Sequence, residues 1–174
     1  APTGYVECMS DILDVDLLAF ERGTAEQRRA VVDGVRRSLV TGFVYTHHDL
    51  SSDMLDTAYG MLAEFFGKPA DVKQQYVAPE SHGQTGYTGL LVETAASSDV
   101  PDWKEMLNWG ISLPVGHPLR DRYPHRYGQQ VLPEGAVPGI TDVLNTFHSA
   151  IEQLQRRFLR IIAEGLGCHE SFFD

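Results

Sequence analysis

From Ile140 to Leu166 the sequence places Ile140, Val143, Leu144, Phe147, Ile151, Leu154, Phe158, Ile161, Ile162 and Leu166 at three- and four-residue intervals. That spacing is one apolar stripe of a single long helix, and Gly167 is its natural stop. A stripe this long must be covered by other elements, because left open it drives association.

At 174 residues the chain has the length of one domain, or of part of a larger one. It is short for an enzyme that holds both a cofactor and a substrate. Lys and Arg total 14 against 24 acidic residues, a net charge of -10, so nucleic acid and anionic membrane surfaces are poor partners. Cys8 and Cys168 stand near opposite ends without a Cys-x-x-Cys spacing, so neither a disulfide framework nor a zinc knuckle is indicated. Without a signal-peptide pattern or an apolar run of about 18 residues, the expectation is a soluble, cytoplasmic protein with no membrane contact.

The remaining elements read in order. "DILDVDLLAF" suits a short strand entering a turn. Thr24 to Gln27 spells a capping box, followed by Ala30, Val31, Val35 and Leu39 at helical spacing up to Gly42. "FVYTH" alternates as a strand does; a second helix, capped by Ser51 or Ser52, carries Leu55, Ala58, Met61, Leu62, Phe65 and Phe66. Pro69 opens a short third helix. "GYTGLLVET" is a predicted strand, while the state of "DWKEMLNWGI" stays open on periodicity. Five prolines between Ser112 and Gly139 predict a long loop, of the kind that serves as a lid, a binding loop or a surface crossing.

Taken together these pieces resemble the N-terminal half of the non-haem iron(II) and 2-oxoglutarate-dependent dioxygenases of the isopenicillin N synthase-like family. "ILDVDLLAF" is similar to the family's opening strand, though without its proline. "GFVYTHHDLSSDMLDTAYGMLAEFFGKPADVKQQY" resembles its strand ending in His, its helix ending in Phe-Phe and its Lys-bearing short helix. "GYTGLLVETAASSDVPDWKEMLNWG" is similar to its Gly-Tyr segment and Asp-x-Lys-Glu, and "LQRRFLRIIAEGLGCHESFF" to its long backbone helix. The resemblance implies a mixed α/β fold: the helical-plus-strand N-terminal part of a double-stranded β-helix, or jelly-roll, oxygenase. Residues 1–174 would be that N-terminal region, with the catalytic β-helix core largely missing from this chain.

The tetrad Thr46-His47-His48-Asp49 contains a His-x-Asp, which spells the start of an iron triad of two His and a carboxylate. A strand would put His47 and Asp49 on one face, where they could chelate or simply meet solvent. The triad also needs a third ligand and an Arg clamp for 2-oxoglutarate. None of His82, His117, His125, His148 and His169 is followed by Arg-x-Ser; the only such tripeptide, Arg36 to Ser38, precedes the strand. By the resemblance, His48 is a structural residue at a strand end. The iron(II) ligands are then expected outside this segment, so no catalytic or metal residue is assigned within it.

By the same resemblance, the region supplies substrate contacts, with Tyr87 and Glu93 carried from the family; Thr88 beside them adds a hydroxyl, and if "DWKEMLNWG" is a strand, alternation puts Asn108 on the face that meets the active-site mouth. Tyr87 offers an aromatic face and a phenolic donor, and Glu93 an acceptor for a cationic or hydroxyl-bearing substrate. Their structural alternatives are a core tyrosine bonded to backbone and a solvated loop charge. Trp103 and Trp109 read as core or pocket wall, and Lys104 and Glu105 as partners for other elements. Arg120, Arg122, His125 and Arg126 form a basic cluster that suits either an anionic substrate or a solvated loop face. The implied activity is oxidation of a small molecule with O2 and 2-oxoglutarate: hydroxylation, desaturation or cyclisation in natural-product metabolism. The reading from a different class is a non-catalytic ligand- or partner-binding module that lacks the iron triad.

Overall fold

A computed structural model describes residues 12–174, so Cys8 lies outside the described residues. The fold is mixed α/β, with short strands and helices followed by one long helix. It forms two compact units, one from residues up to Leu50 together with Ala150–Asp174, the other Ser51–Ser149.

In the first unit, strand β1 (Leu13–Asp16) pairs in parallel with β2 (Val44–His47), Leu13 opposite Val44 and Asp16 opposite His47. A parallel pair needs a long crossover, supplied here by helices α1 (Leu17–Arg22) and α2 (Ala25–Ser38). Asp16 ends the strand and caps α1, accepting from the Leu18 and Ala19 amides at 2.9 and 3.0 Å. The capping box of α2 forms in both directions between Thr24 and Gln27. Val15, Leu17, Phe20, Val31 and Val35 pack on Ile161 of helix α6 (Ile140–Gly165). Arg157 on α6 holds Glu21 through two bonds of 2.7 and 2.8 Å, the fork geometry that only Arg supplies.

In the second unit, Ser51 caps α3 (Ser52–Phe66), and Pro69 stands at the N-cap of α4 (Ala70–Gln74) rather than inside it. Strand β3 (Gly86–Thr88) runs antiparallel to β4 (Met106–Asn108). Ala58, Phe65, Tyr87, Leu107 and Val137 form the core with Ile140 and Leu144 from the first turns of α6. Each large buried side chain of this kind stabilises by about 1.5–3 kcal/mol.

Four expectations change. "GYTGLLVET" is a strand only to Thr88, because Leu91 takes φ +61°, a left-handed conformation that no strand accommodates. The proline-rich segment holds a one-turn helix, α5 (Pro118–Arg122), whose cap is His117. Along α6, Leu166 lies past the helix end and is exposed, and Ile151 is half open where it lines an apolar groove with Leu154 and Phe158. Trp109 joins the core and donates its Nε1 to the Leu144 carbonyl at 3.3 Å, whereas Trp103, ahead of β4 and outside any strand, is 78% exposed. No helix among the described residues is long and apolar enough to cross a membrane.

Candidate functional site

The site begins with a close backbone approach. The Tyr87 amide donates to the Tyr76 carbonyl at 2.8 Å. The preceding residue, Gly86, has φ +83°, and a Cβ there would sit 2.5 Å from that carbonyl oxygen. Only glycine permits the approach. It seats Tyr87 opposite Leu107 on β4 and brings its ring edge-on to Phe65, with centroids 5.9 Å apart.

Behind the ring lies a polar cluster inside the apolar core. The Tyr87 hydroxyl donates to Glu105 Oε1, and the same oxygen accepts from Lys73 Nζ at 2.6 Å. Lys73 also donates to the Phe66 carbonyl at 3.1 Å, at the end of α3. The Lys73 ammonium and the Tyr87 hydroxyl hold the Glu105 carboxyl below the usual carboxylate range. Burial and the neighbouring Glu105 carboxylate push the Tyr87 phenol up to about 12. The phenolic proton is thus committed to Glu105, and Tyr87 presents its ring, not its hydroxyl, to a ligand.

In front of the ring is a cleft of about 350 Å³, within the range of small-molecule sites. Its lining includes Gln74, Pro79, Tyr87, Thr88, Val92 and Glu93. Three of the four expected contact residues therefore meet on one concavity. Asn108 does not line it; its Nδ2 donates to the Gly83 carbonyl at 2.9 Å and fixes the turn that leads into β3. Glu93 is not a free acceptor either. Its carboxylate takes Lys104 Nζ at 2.9 Å, and Lys104 also bonds Asp102 at 3.1 Å, which raises the ammonium's affinity for its proton.

Sequence reasoning missed Lys73 and Gln74, neighbours on α4 that point to the half-buried Glu105 carboxylate and to the cleft. A lysine and a glutamine in "VKQQY" carry no local sign of either role. The basic cluster is dispersed. Arg120 bonds the Leu113 carbonyl and Arg122 lies over Tyr123, while His125 and Arg126 line a second cleft of about 260 Å³ with Ser81, Gln84 and Gln130.

His47 and Asp49 do not converge on a metal. The Asp49 carboxylate accepts from Arg157 at 2.6 Å, which lowers its proton affinity, and His47 lies 3.8 Å from Asp14. His48 Nδ1 accepts from the Leu50 amide at 3.2 Å and shapes the end of β2. Among the described residues no three His, Cys, Asp or Glu side chains are grouped to hold a metal ion. The described residues therefore do not build an iron site.

Residues 11–135 match the family described as the N-terminal region of non-haem dioxygenase in morphine synthesis. A 2-oxoglutarate-dependent dioxygenase of Didymella fabae is 30% identical over 159 residues, covering 88% of this chain and 48% of the relative. One of the same name from Gibberella zeae is 34% identical over 110 residues, 63% of this chain and 28% of the relative. A crystal structure of a 2OG-Fe(II) oxygenase family protein from Caulobacter crescentus superposes with TM-score 0.76 at 26% identity, over 93% of this chain and 50% of that one. A full-length Neurospora crassa protein crystallised in complex with alpha-KG, at 21% identity and TM-score 0.70, shares the fold over 92% of this chain and 49% of that one. The chain spans about half or less of these relatives, and its α/β arrangement corresponds to part of their oxygenase fold.

Proposed function

The chain belongs to the non-haem dioxygenase N-terminal family, and on that premise we propose that it is the N-terminal region of an iron(II)- and 2-oxoglutarate-dependent enzyme that oxidises a small molecule. Within the wider superfamily the proposed branch is the isopenicillin N synthase-like one, acting in natural-product metabolism in the cytoplasm. Iron(II), 2-oxoglutarate and O2 would be handled by residues outside this segment, and no step of that chemistry is assigned to it.

What the segment contributes, in this reading, is part of the substrate pocket. The observation that carries it is the convergence of Tyr87, Thr88 and Glu93 on one small-molecule-sized cleft. Tyr87 gives a rigid aromatic wall, because Glu105 and Phe65 fix both its ends. Thr88 gives a hydroxyl, and Glu93 with Lys104 forms a polar rim. Asn108 acts indirectly, by holding the turn at Gly83.

The test is the intact mass of the protein isolated from its source cells. A species well above 19.4 kDa is expected, and a 19.4 kDa protein that binds ligand without turnover overturns the enzyme reading in favour of a binding module. In the intact enzyme, Tyr87→Leu, which removes the aromatic wall, and Glu93→Gln should raise KM for the substrate; unchanged kinetics would remove both from the pocket.

A further inference from the structure

The carboxylates and ammonium groups around the Tyr87 cleft are already spent on one another. Glu105, behind the ring, is taken by Lys73 and by the Tyr87 hydroxyl. Glu93, at the rim, holds Lys104, which is shared with Asp102. A cationic ligand would have to displace Lys104 from its carboxylates. An anionic one would meet a rim with one more carboxylate than ammonium. Neither exchange gives a clear gain, since a displaced ion must be resolvated or paired again.

Among the described residues, three polar side chains of the lining form no hydrogen bond: Gln74, Thr88 and the His82 imidazole. Gln74 lines the cleft from α4, and among the described residues its amide makes no hydrogen bond; its Nε2 lies 3.1 Å from where a Cβ on Gly89 would stand. Gly89 leaves room for that amide and for the Tyr87 hydroxyl beside it, 3.5 Å from the same point. Thr88 lines the same cleft, and its hydroxyl has no partner among the described residues. An amide, a hydroxyl and a neutral imidazole each both donate and accept. Set against the Tyr87 ring and Val92, they match a flat molecule whose polar end also donates and accepts without carrying charge.

From this we propose that the cleft takes an uncharged, ring-bearing ligand with a carbonyl, amide or hydroxyl group, and that Gln74 is the residue that reads that polar group. The inference rests on the cleft being the substrate pocket of the proposed function, and it names the class of molecule that enters.

The test uses three probes of one shape: benzamide, benzamidine and benzoate, which are neutral, cationic and anionic. Their binding to the intact protein is followed by NMR titration without iron or 2-oxoglutarate. Benzamide is expected to bind severalfold more tightly than either ion. Gln74→Met, which keeps length and removes the amide, should weaken benzamide by about two- to tenfold, the worth of one net hydrogen bond. Gln74→Glu should move the preference to benzamidine. Gln74 is an exposed residue at the end of α4, so both variants should fold. Equal binding of the three probes, tighter binding of an ion, no measurable benzamide binding, or an unchanged benzamide affinity in Gln74→Met would each overturn the assignment. Because neither iron nor 2-oxoglutarate is present, such a failure leaves the oxygenase reading standing. Absence of 2-oxoglutarate turnover, conversely, would remove the oxygenase reading and leave the ligand class intact.

Discussion

Replacing Glu105 with leucine should cost the protein more than any surface change, and the cluster around it sets the size of the loss. The Lys73 side chain is 9% exposed and that of Glu105 is 23% exposed, at 2.6 Å. In Glu105→Leu the ammonium would keep the Phe66 carbonyl at 3.1 Å and no counter-charge, and the Tyr87 hydroxyl would lose its acceptor. Breaking one side of a buried pair costs about 3–5 kcal/mol, most of it from the charge left behind. In a chain of this size that is a fall in Tm of about 6–20 °C. Glu105→Gln keeps an acceptor for Tyr87 and should lose less. The double variant Lys73→Met with Glu105→Leu removes both charges and should recover much of the single-variant loss. Thermal and urea unfolding of the four proteins measures this. A Glu105→Leu loss within about 0.5 kcal/mol, the range of ordinary surface substitutions, would refute the buried-charge argument.

Other consequences follow from the same geometry. Tyr87 holds its proton up to about 12, so it stabilises the fold fully below the unfolded phenol value near 10 and loses that contribution as pH rises towards 12. Tyr87→Phe should remove this part of the alkaline loss, and an alkaline profile identical to wild type would contradict it. Glu105 has the opposite sign: its lowered value means stability present above about pH 4.3 and lost on acidification below it, a loss that Glu105→Gln should flatten. Gly86→Ala meets both a left-handed φ and a carbonyl 2.5 Å from the new Cβ, so a loss of about 1–3 kcal/mol or more is expected in urea unfolding. Arg157→Leu strips Glu21 and Asp49 of their shared partner and should lower stability in urea unfolding, less so in high salt. A salt-independent loss would argue for packing instead.

The helices are largely legible in the sequence because their signals are local. Thr24 and Gln27 announce α2 within four residues, and the apolar spacing from Ile140 announces α6 without reference to anything else. The site is legible in part. Tyr87, Thr88 and Glu93 lie on one continuous stretch, so a resemblance that places one of them places all three. Asn108 is expected at the cleft because alternation puts it on one face of a strand, yet β4 is only three residues long and the Gly83 carbonyl claims the side chain. The pairing of Lys73 with Glu105 joins residues 32 positions apart and turns on burial, which no local pattern encodes. For the same reason Glu93 reads as a free acceptor: the folded bridge between Thr94 and Pro101 and the Asp102 amide's bond to the Glu93 carbonyl bring Lys104 back to it.

The central claim, that this chain is the N-terminal region of an iron(II)- and 2-oxoglutarate-dependent oxygenase, is tested most directly by succinate formation. The intact protein purified from its source is incubated with iron(II), 2-oxoglutarate and O2, and succinate is measured with and without the metal. Iron-dependent succinate above the metal-free background is the expected result. No succinate from folded, iron-supplemented protein would contradict the claim.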